Sequence, residues 1–199
     1  MLVKITVLSE NTAGAGFLAE HGLSYLIEHN GNCLLFDTGA SDVFLKNADK
    51  LNLDVPSAVD TVVLSHGHWD HGNGLQHLHG QKLVTHSKSF IKRYRKGNDS
   101  ALAFIEENSL VVITGCSHSG ICNIINQAQI VTGIQKVKAV MGGFHLKKNN
   151  EQTHKTIQFF KRLGVEEAYP SHCVELEALS AFQREFNNLQ VKTGMEIVI

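Results

Sequence analysis

Three histidines and one aspartate fall within the six positions from His66 to His71, in "HGHWDH", directly after the apolar run "DTVVLS" (60 to 65) and before a glycine-rich turn. Imidazole and carboxylate groups are costly to bury without water, a partner or a metal. A lone histidine is by default a satisfied core or surface residue, but at this density the two ligand types form a first-row metal site. His66 and His68 are two apart and point the same way in an extended segment, whereas Asp70 and His71 follow in the turn and can face a second position. One loop can thus serve two metals. His118, in "VVITGCSHSGICN", and His172, in "AYPSHC", each follow another apolar run. Strand exits are where sheets of this kind gather ligands, so these histidines are expected to converge with the loop. A divalent pair lowers the pKa of bound water toward neutrality and polarises the bond under attack, which makes hydrolysis by a metal-bound hydroxide the natural chemistry.

Such a site needs strands that end where the ligands begin, and the chain supplies them. "LVKITVL" (2 to 8), "GLSYLIE" (22 to 28) and "CLLFDTG" (33 to 39) read as antiparallel opening strands, with "HNGN" (29 to 32) as the turn between the second and third. Ser41 is placed to cap a helix carrying Val43, Phe44 and Leu51, after which "DTVVLS" is a short strand. Further on, "ALAFIEEN" reads as helix, "SLVVITG" as strand, "ICNIINQAQIV" as helix, "VKAVMGG" as strand, "EQTHKTIQFFKRLG" as helix, "EEAYP" as strand and 174 to 188 as helix. "VKTGMEIVI" closes the chain as two short strands around a turn. Strands and helices in alternation predict layers of both types, here a single domain over 1 to 199.

Composition narrows the partners. With 199 residues, 43% of them hydrophobic, the chain can bury a sizeable core. A formal net charge of -1 speaks against a general nucleic-acid or membrane-surface binder. No apolar run approaches the roughly 20 residues of a membrane span, and the opening residues lack a leader's apolar core and cleavage site, so a cytoplasmic protein is expected. The four cysteines are spread through apparent core segments, which reads as reduced thiols. Oligomeric state is not legible in the sequence.

The motifs together resemble the metallo-β-lactamase superfamily: "LLFDTG" its first motif, with Asp37; "HGHWDH" its signature; "GCSHSG" its third, with His118; and "PSHC" its last, with His172. More narrowly, "EHGLSYLIE", "SHGHWDHGNGL", "GCSHSGICNII" and "VMGGFHL" are similar to the branch of dihydropterin-methyl-ribofuranosyl-aminobenzene-phosphate synthases. The resemblance implies an α+β fold, the four-layer αβ/βα sandwich. It implies two divalent ions per chain, one held by His66, His68 and His118 and the other by Asp70, His71 and His172. Zinc suits this nitrogen-rich set, with manganese and iron as alternatives. Asp37 would stand behind a ligand histidine, fixing its tautomer and raising its basicity. Many relatives bridge the metals with an aspartate between the third and last motifs, where this chain has "GGFHL" and offers His145; a neutral imidazole cannot bridge two cations, so His145 is read as a proton donor, substrate contact or ligand to one metal. "HCVELEA" departs from the branch's His-Cys-Thr-Gly, and the segment between the second and third motifs is short for the branch.

Other features carry less. Cys116, two before His118, reads as a core thiol rather than a ligand, and Cys173 as structural. His77, His79 and His86 read as surface residues. "KSFIKRYRKGN", with Lys88, Lys92, Arg93, Arg95 and Lys96, would present a cationic helix face. The expected function is hydrolysis of a small anionic ester, a phosphoester or lactone, with Asp70 ligating and orienting the nucleophile and His145 supplying a proton. The alternatives are a non-catalytic metal-binding accessory protein and a synthase-like enzyme of the pterin-related branch.

Overall fold

Alternating apolar residues between Asn and Gly turns build the first sheet. Strands β1 (Lys4–Ser9), β2 (Ser24–His29) and β3 (Asn32–Phe36) run antiparallel. The β2–β3 hairpin closes through Asn30 and Gly31, both at positive φ (53° and 77°), which matches the twist of the flanking strands. The computed structural model describes residues 2–86 and 99–199, which fall into two compact units, Met1–Ser100 with Val191–Ile199, and Ala101–Gln190.

In the first unit, helices α1 (Val43–Lys50) and α2 (Val55–Ala58) carry the chain from β3 to the parallel strand β4 (Thr61–Leu64). β4 continues through the short helix α3 (Trp69–Gly72) to the parallel strand β5 (Lys82–Thr85). The closing strand β10 (Glu196–Val198) returns to pair antiparallel with β1, giving the order β10-β1-β2-β3-β4-β5. Of the two short strands expected in the last stretch, one is β10, and the other is only a bridge between Ala13 and Thr193. Phe44 and Ala48 of α1 pack with Leu8, Leu35, Val62 and Leu64 of the sheet, where each fully buried side chain of this size contributes roughly 1.5–3 kcal/mol. Asp42, not Ser41, precedes α1, and without a side-chain capping bond. The Ser41 hydroxyl donates to Glu20 (2.6 Å) and accepts from the Val43 amide (3.2 Å), so it meets the first helical N–H from one position before the cap.

The second unit holds β6 (Ala101–Glu106), β7 (Ser109–Thr114), β8 (Val137–Gly142) and β9 (Glu167–Pro170), in that order. β6 and β7 form an antiparallel hairpin, and β7, β8 and β9 run parallel. Helices α4 (Ile121–Thr132), α5 (Glu151–Arg162) and α6 (Leu176–Phe186) bury their apolar faces in a core with Leu110, Val112 and Val140. Phe144, Phe160 and Phe182 meet edge to face there. "ALAFIEEN" is a strand and not the helix its composition suggests. Its burial alternates, with Ala101, Ala103 and Ile105 outward, and its pairing with the wholly buried β7 outweighs the helix propensity of Ala, Leu and Glu. Among the described residues, no helix is long and apolar enough to cross a membrane. The basic stretch from Lys88 to Lys96 lies outside the described residues.

Candidate metal centre

In the first unit, the parallel strands β3 and β4 end side by side and release the residues that matter. β3 runs into Asp37, fully buried and at a φ of 57°; β4 runs into Ser65, His66, Gly67 and His68, and α3 follows with Asp70 and His71. A buried carboxylate needs hydrogen bonds to offset its lost hydration, and Asp37 has them. Its Oδ1 accepts from the Ser65 amide (2.7 Å), and its Oδ2 accepts from the Ser65 hydroxyl (2.6 Å) and from His71 Nδ1 (2.6 Å). With the Ser65 proton given to Asp37, Ser65 Oγ accepts from His66 Nδ1 at 2.8 Å. Both rings are thereby set in the Nδ1–H tautomer, with Nε2 as the donor atom toward a metal.

The other contacts of this loop follow from that relay. His66 Nε2 stands 3.0 Å from His68 Nδ1, the distance of an N–H···N hydrogen bond donated by His68. Asp70 Oδ2 lies 3.7 Å from His71 Nε2 and 3.3 Å from His21 Nε2. The donor set fits a first-row metal, with neutral imidazoles of fixed tautomer, a carboxylate beside them and a buried carboxylate behind. His66, His68, Asp70, His71 and Asp37 are thus brought together within the first unit.

The second unit takes one residue from each of three strand exits. β7, β8 and β9 are parallel neighbours, so their carboxyl ends share one edge, and the loops beyond them carry His118, His145 and His172. Ser117, His145 and His172 sit in the left-handed region at φ of 50°, 53° and 50°, a conformation that costs on the order of 1–3 kcal/mol per non-glycine residue and clusters at functional sites. Backbone bonds join the loops: the Gly143 amide donates to Gly115 (2.7 Å), the Ser171 amide to Gly142 (2.9 Å) and the Glu175 amide to Leu146 (3.0 Å). The close approach explains the paired glycines. A Cβ on Gly142 would fall 1.9 Å from the Thr114 carbonyl oxygen, and one on Gly143 would fall 2.6 Å from Cys173 Sγ.

Within this edge the His118 and His145 rings are 4.7 Å apart, centroid to centroid. His172 is buried and His145 exposed. Cys116 and Cys173 are not joined in disulfides, and Cys173 Sγ donates to the Cys116 carbonyl (3.5 Å). The Cys173 thiol is drawn well below its ordinary range, first by its side-chain hydrogen bond with Cys116, against the opposing effect of burial, and then by His145. Sequence reasoning placed Cys173 as structural and passed over Ser65. The signals available were adjacency to His172 for the first and a hydroxyl directly before the histidine motif for the second.

Residues 19–86, which include Asp37 and the whole "HGHWDH" loop, match the family model of the metallo-β-lactamase superfamily. The solved structure of Tm1679, a metal-dependent hydrolase of the β-lactamase superfamily, aligns at a TM-score of 0.84 with 31% identity and covers 98% of each chain. The chain belongs to the metallo-β-lactamase superfamily, and its two mixed sheets with helices are the α+β class expected. Among curated proteins it is 28% identical to the 7,8-dihydropterin-6-methyl-4-(β-D-ribofuranosyl)-aminobenzene-5'-phosphate synthase of Methanocaldococcus jannaschii, covering 92% of each chain. The metallo-β-lactamase fold protein YhfI of Bacillus subtilis shares the fold, with a TM-score of 0.60 at 17% identity over 100% of both chains.

Proposed function

We propose that this chain is a metal-dependent hydrolase of a small anionic ester, either a phosphoester or a lactone-like ring ester. The ligand set is the one its motifs imply: His66, His68 and His118 for one divalent ion, and Asp70, His71 and His172 for the other. Zinc is the first choice. A divalent pair, when bound, supplies a water of lowered pKa and withdraws charge from the bond under attack. The observation that carries the reading is the Asp37 relay, in which one buried carboxylate fixes the tautomers of two histidines through Ser65 Oγ and His71 Nδ1. That arrangement serves a metal far better than it serves a packed core. Asp70 adds negative charge and orients the attacking group, and the exposed His145 holds the proton that the leaving group takes. The four cysteines, spread through core segments of the sequence, suit a reducing, cytoplasmic setting.

A second reading, a synthase-like enzyme on a pterin-related aminobenzene substrate, draws on the similarity to the Methanocaldococcus synthase. A panel of p-nitrophenyl phosphomonoesters, phosphodiesters and lactones separates the two. The zinc-, manganese- or iron-loaded wild type is expected to turn over at least one class, and Asp70→Asn to lose at least about a hundredfold in kcat/KM. Silence of all three metal forms across the panel would remove the hydrolase reading and favour the synthase or a non-catalytic metal-binding role. Elemental analysis supplies an independent check. His66→Ala with His118→Ala should lose most of one metal equivalent, and acidification should release metal because the ligand imidazoles must be neutral to bind it.

A further inference from the structure

Trp69 is the only tryptophan in the chain, and it stands between His68 and Asp70 with 57% of its surface exposed. A single exposed apolar side chain is ordinary on a protein surface. This one differs in having a second ring fixed beside it: the His21 imidazole lies 5.7 Å away, centroid to centroid, tilted by 44°. His21 is itself held, with Nε2 3.3 Å from Asp70 Oδ2.

The segment carrying His21 is also anchored on both sides. The Glu20 carboxylate accepts from the Ser9 hydroxyl (3.0 Å), the Ala40 amide (3.0 Å) and the Ser41 hydroxyl (2.6 Å). The Leu23 amide donates to the Asp70 carbonyl (3.2 Å). Between them Gly22 passes so close to the histidine loop that a Cβ there would lie 2.9 Å from the Ala40 amide nitrogen and 3.0 Å from the Asp70 carbonyl oxygen. Two exposed rings on a backbone this constrained form a rigid surface, and a rigid aromatic surface binds a flat partner at little cost in ordering.

We infer that Trp69 and His21 form a stacking platform for a planar group of the substrate, so that the ester cleaved is an aryl or heterocyclic one. The inference rests on the hydrolase reading for the word "cleaved" and on the first unit alone for the platform. Because the tryptophan is single, one indole N–H resonance in the 15N-labelled, zinc-loaded full chain reports on it. Phenylphosphonate and methylphosphonate, which do not hydrolyse, are the paired probes. Phenylphosphonate should move the indole resonance saturably, and methylphosphonate should leave it in place. Trp69→Leu, which keeps apolar bulk without a ring face, should lower the preference for phenyl- over methylphosphonate by about threefold to tenfold, the worth of one aromatic pair. His21→Ala should lower it in the same direction. An indole that ignores phenylphosphonate, or that moves equally with both probes, overturns the platform. Binding is read here without turnover, so a saturable shift in a protein that hydrolyses nothing would keep the platform and remove the hydrolase. Hydrolysis of phenyl and methyl phosphates at one KM, with an unmoved indole, would do the reverse.

Discussion

The two units solve one problem by opposite means. The first draws its site from a single loop of six residues and holds it with a buried polar relay, Asp37 to Ser65 to His66 and Asp37 to His71. The second draws one histidine from each of three parallel strands and holds the edge with backbone: glycines that admit near contact, and Ser117, His145 and His172 at positive φ. Where ligands are neighbours in sequence, side-chain hydrogen bonds aim them, and the relay's one left-handed residue, Asp37, stands behind the ligands rather than among them. Where they come from distant strands, the backbone itself must be bent into place, and strain appears in the residues that do the work.

That contrast is open to attack by substitution. Gly142→Ala is expected to be the most damaging change, about 4 kcal/mol in urea denaturation, because it combines a φ of 126° with a Cβ 1.9 Å from the Thr114 carbonyl oxygen. Next comes Asp37→Ala, about 3 kcal/mol by the same measurement, since it strands the Ser65 amide, the Ser65 hydroxyl and His71 Nδ1 in a buried place. Asp37→Asn sharpens the point. It keeps an acceptor for the Ser65 amide but turns a donor toward His71, so 15N shifts of the imidazole should report a change of His71 tautomer. The smallest effect has the opposite sign. His145→Gly relieves a left-handed residue and should raise stability by about 1 kcal/mol while lowering turnover. If it destabilises instead, the strain argument for the second unit fails.

How much was legible follows the same division. The histidine loop and its strand could be read directly, because the ligands, the apolar run and the turn are contiguous, and so could the Asn30-Gly31 hairpin. Ser65 was legible only as a hydroxyl directly before the motif, since its role depends on a carboxylate 28 positions earlier in the chain. Cys173 reads as structural, but its contact with Cys116 was not legible because Cys116 belongs to another strand exit. The misassigned β6 has a different origin. "ALAFIEEN" favours helix residue by residue, and only its period-two burial against β7 shows the strand. Ser41 was displaced by one position: Asp42 precedes the helix, and Ser41 Oγ accepts from the Val43 amide from one residue further out.

The placing of β10 beside β1 also bears on how quickly this chain can find its structure. Lys4 pairs with Val198, and Ala13 bridges to Thr193, so the first unit's outer edge joins segments separated by the whole of the second unit. Its inner strands, β1 to β3, lie close in sequence, β2 and β3 through a two-residue turn, and can form early. The outer edge has to wait on a diffusive search that becomes slower as contacts become more remote in sequence. Refolding should therefore be biphasic, with amides of the β2–β3 hairpin protected from exchange before those of Ile5 and Ile197, whose strands close the register last.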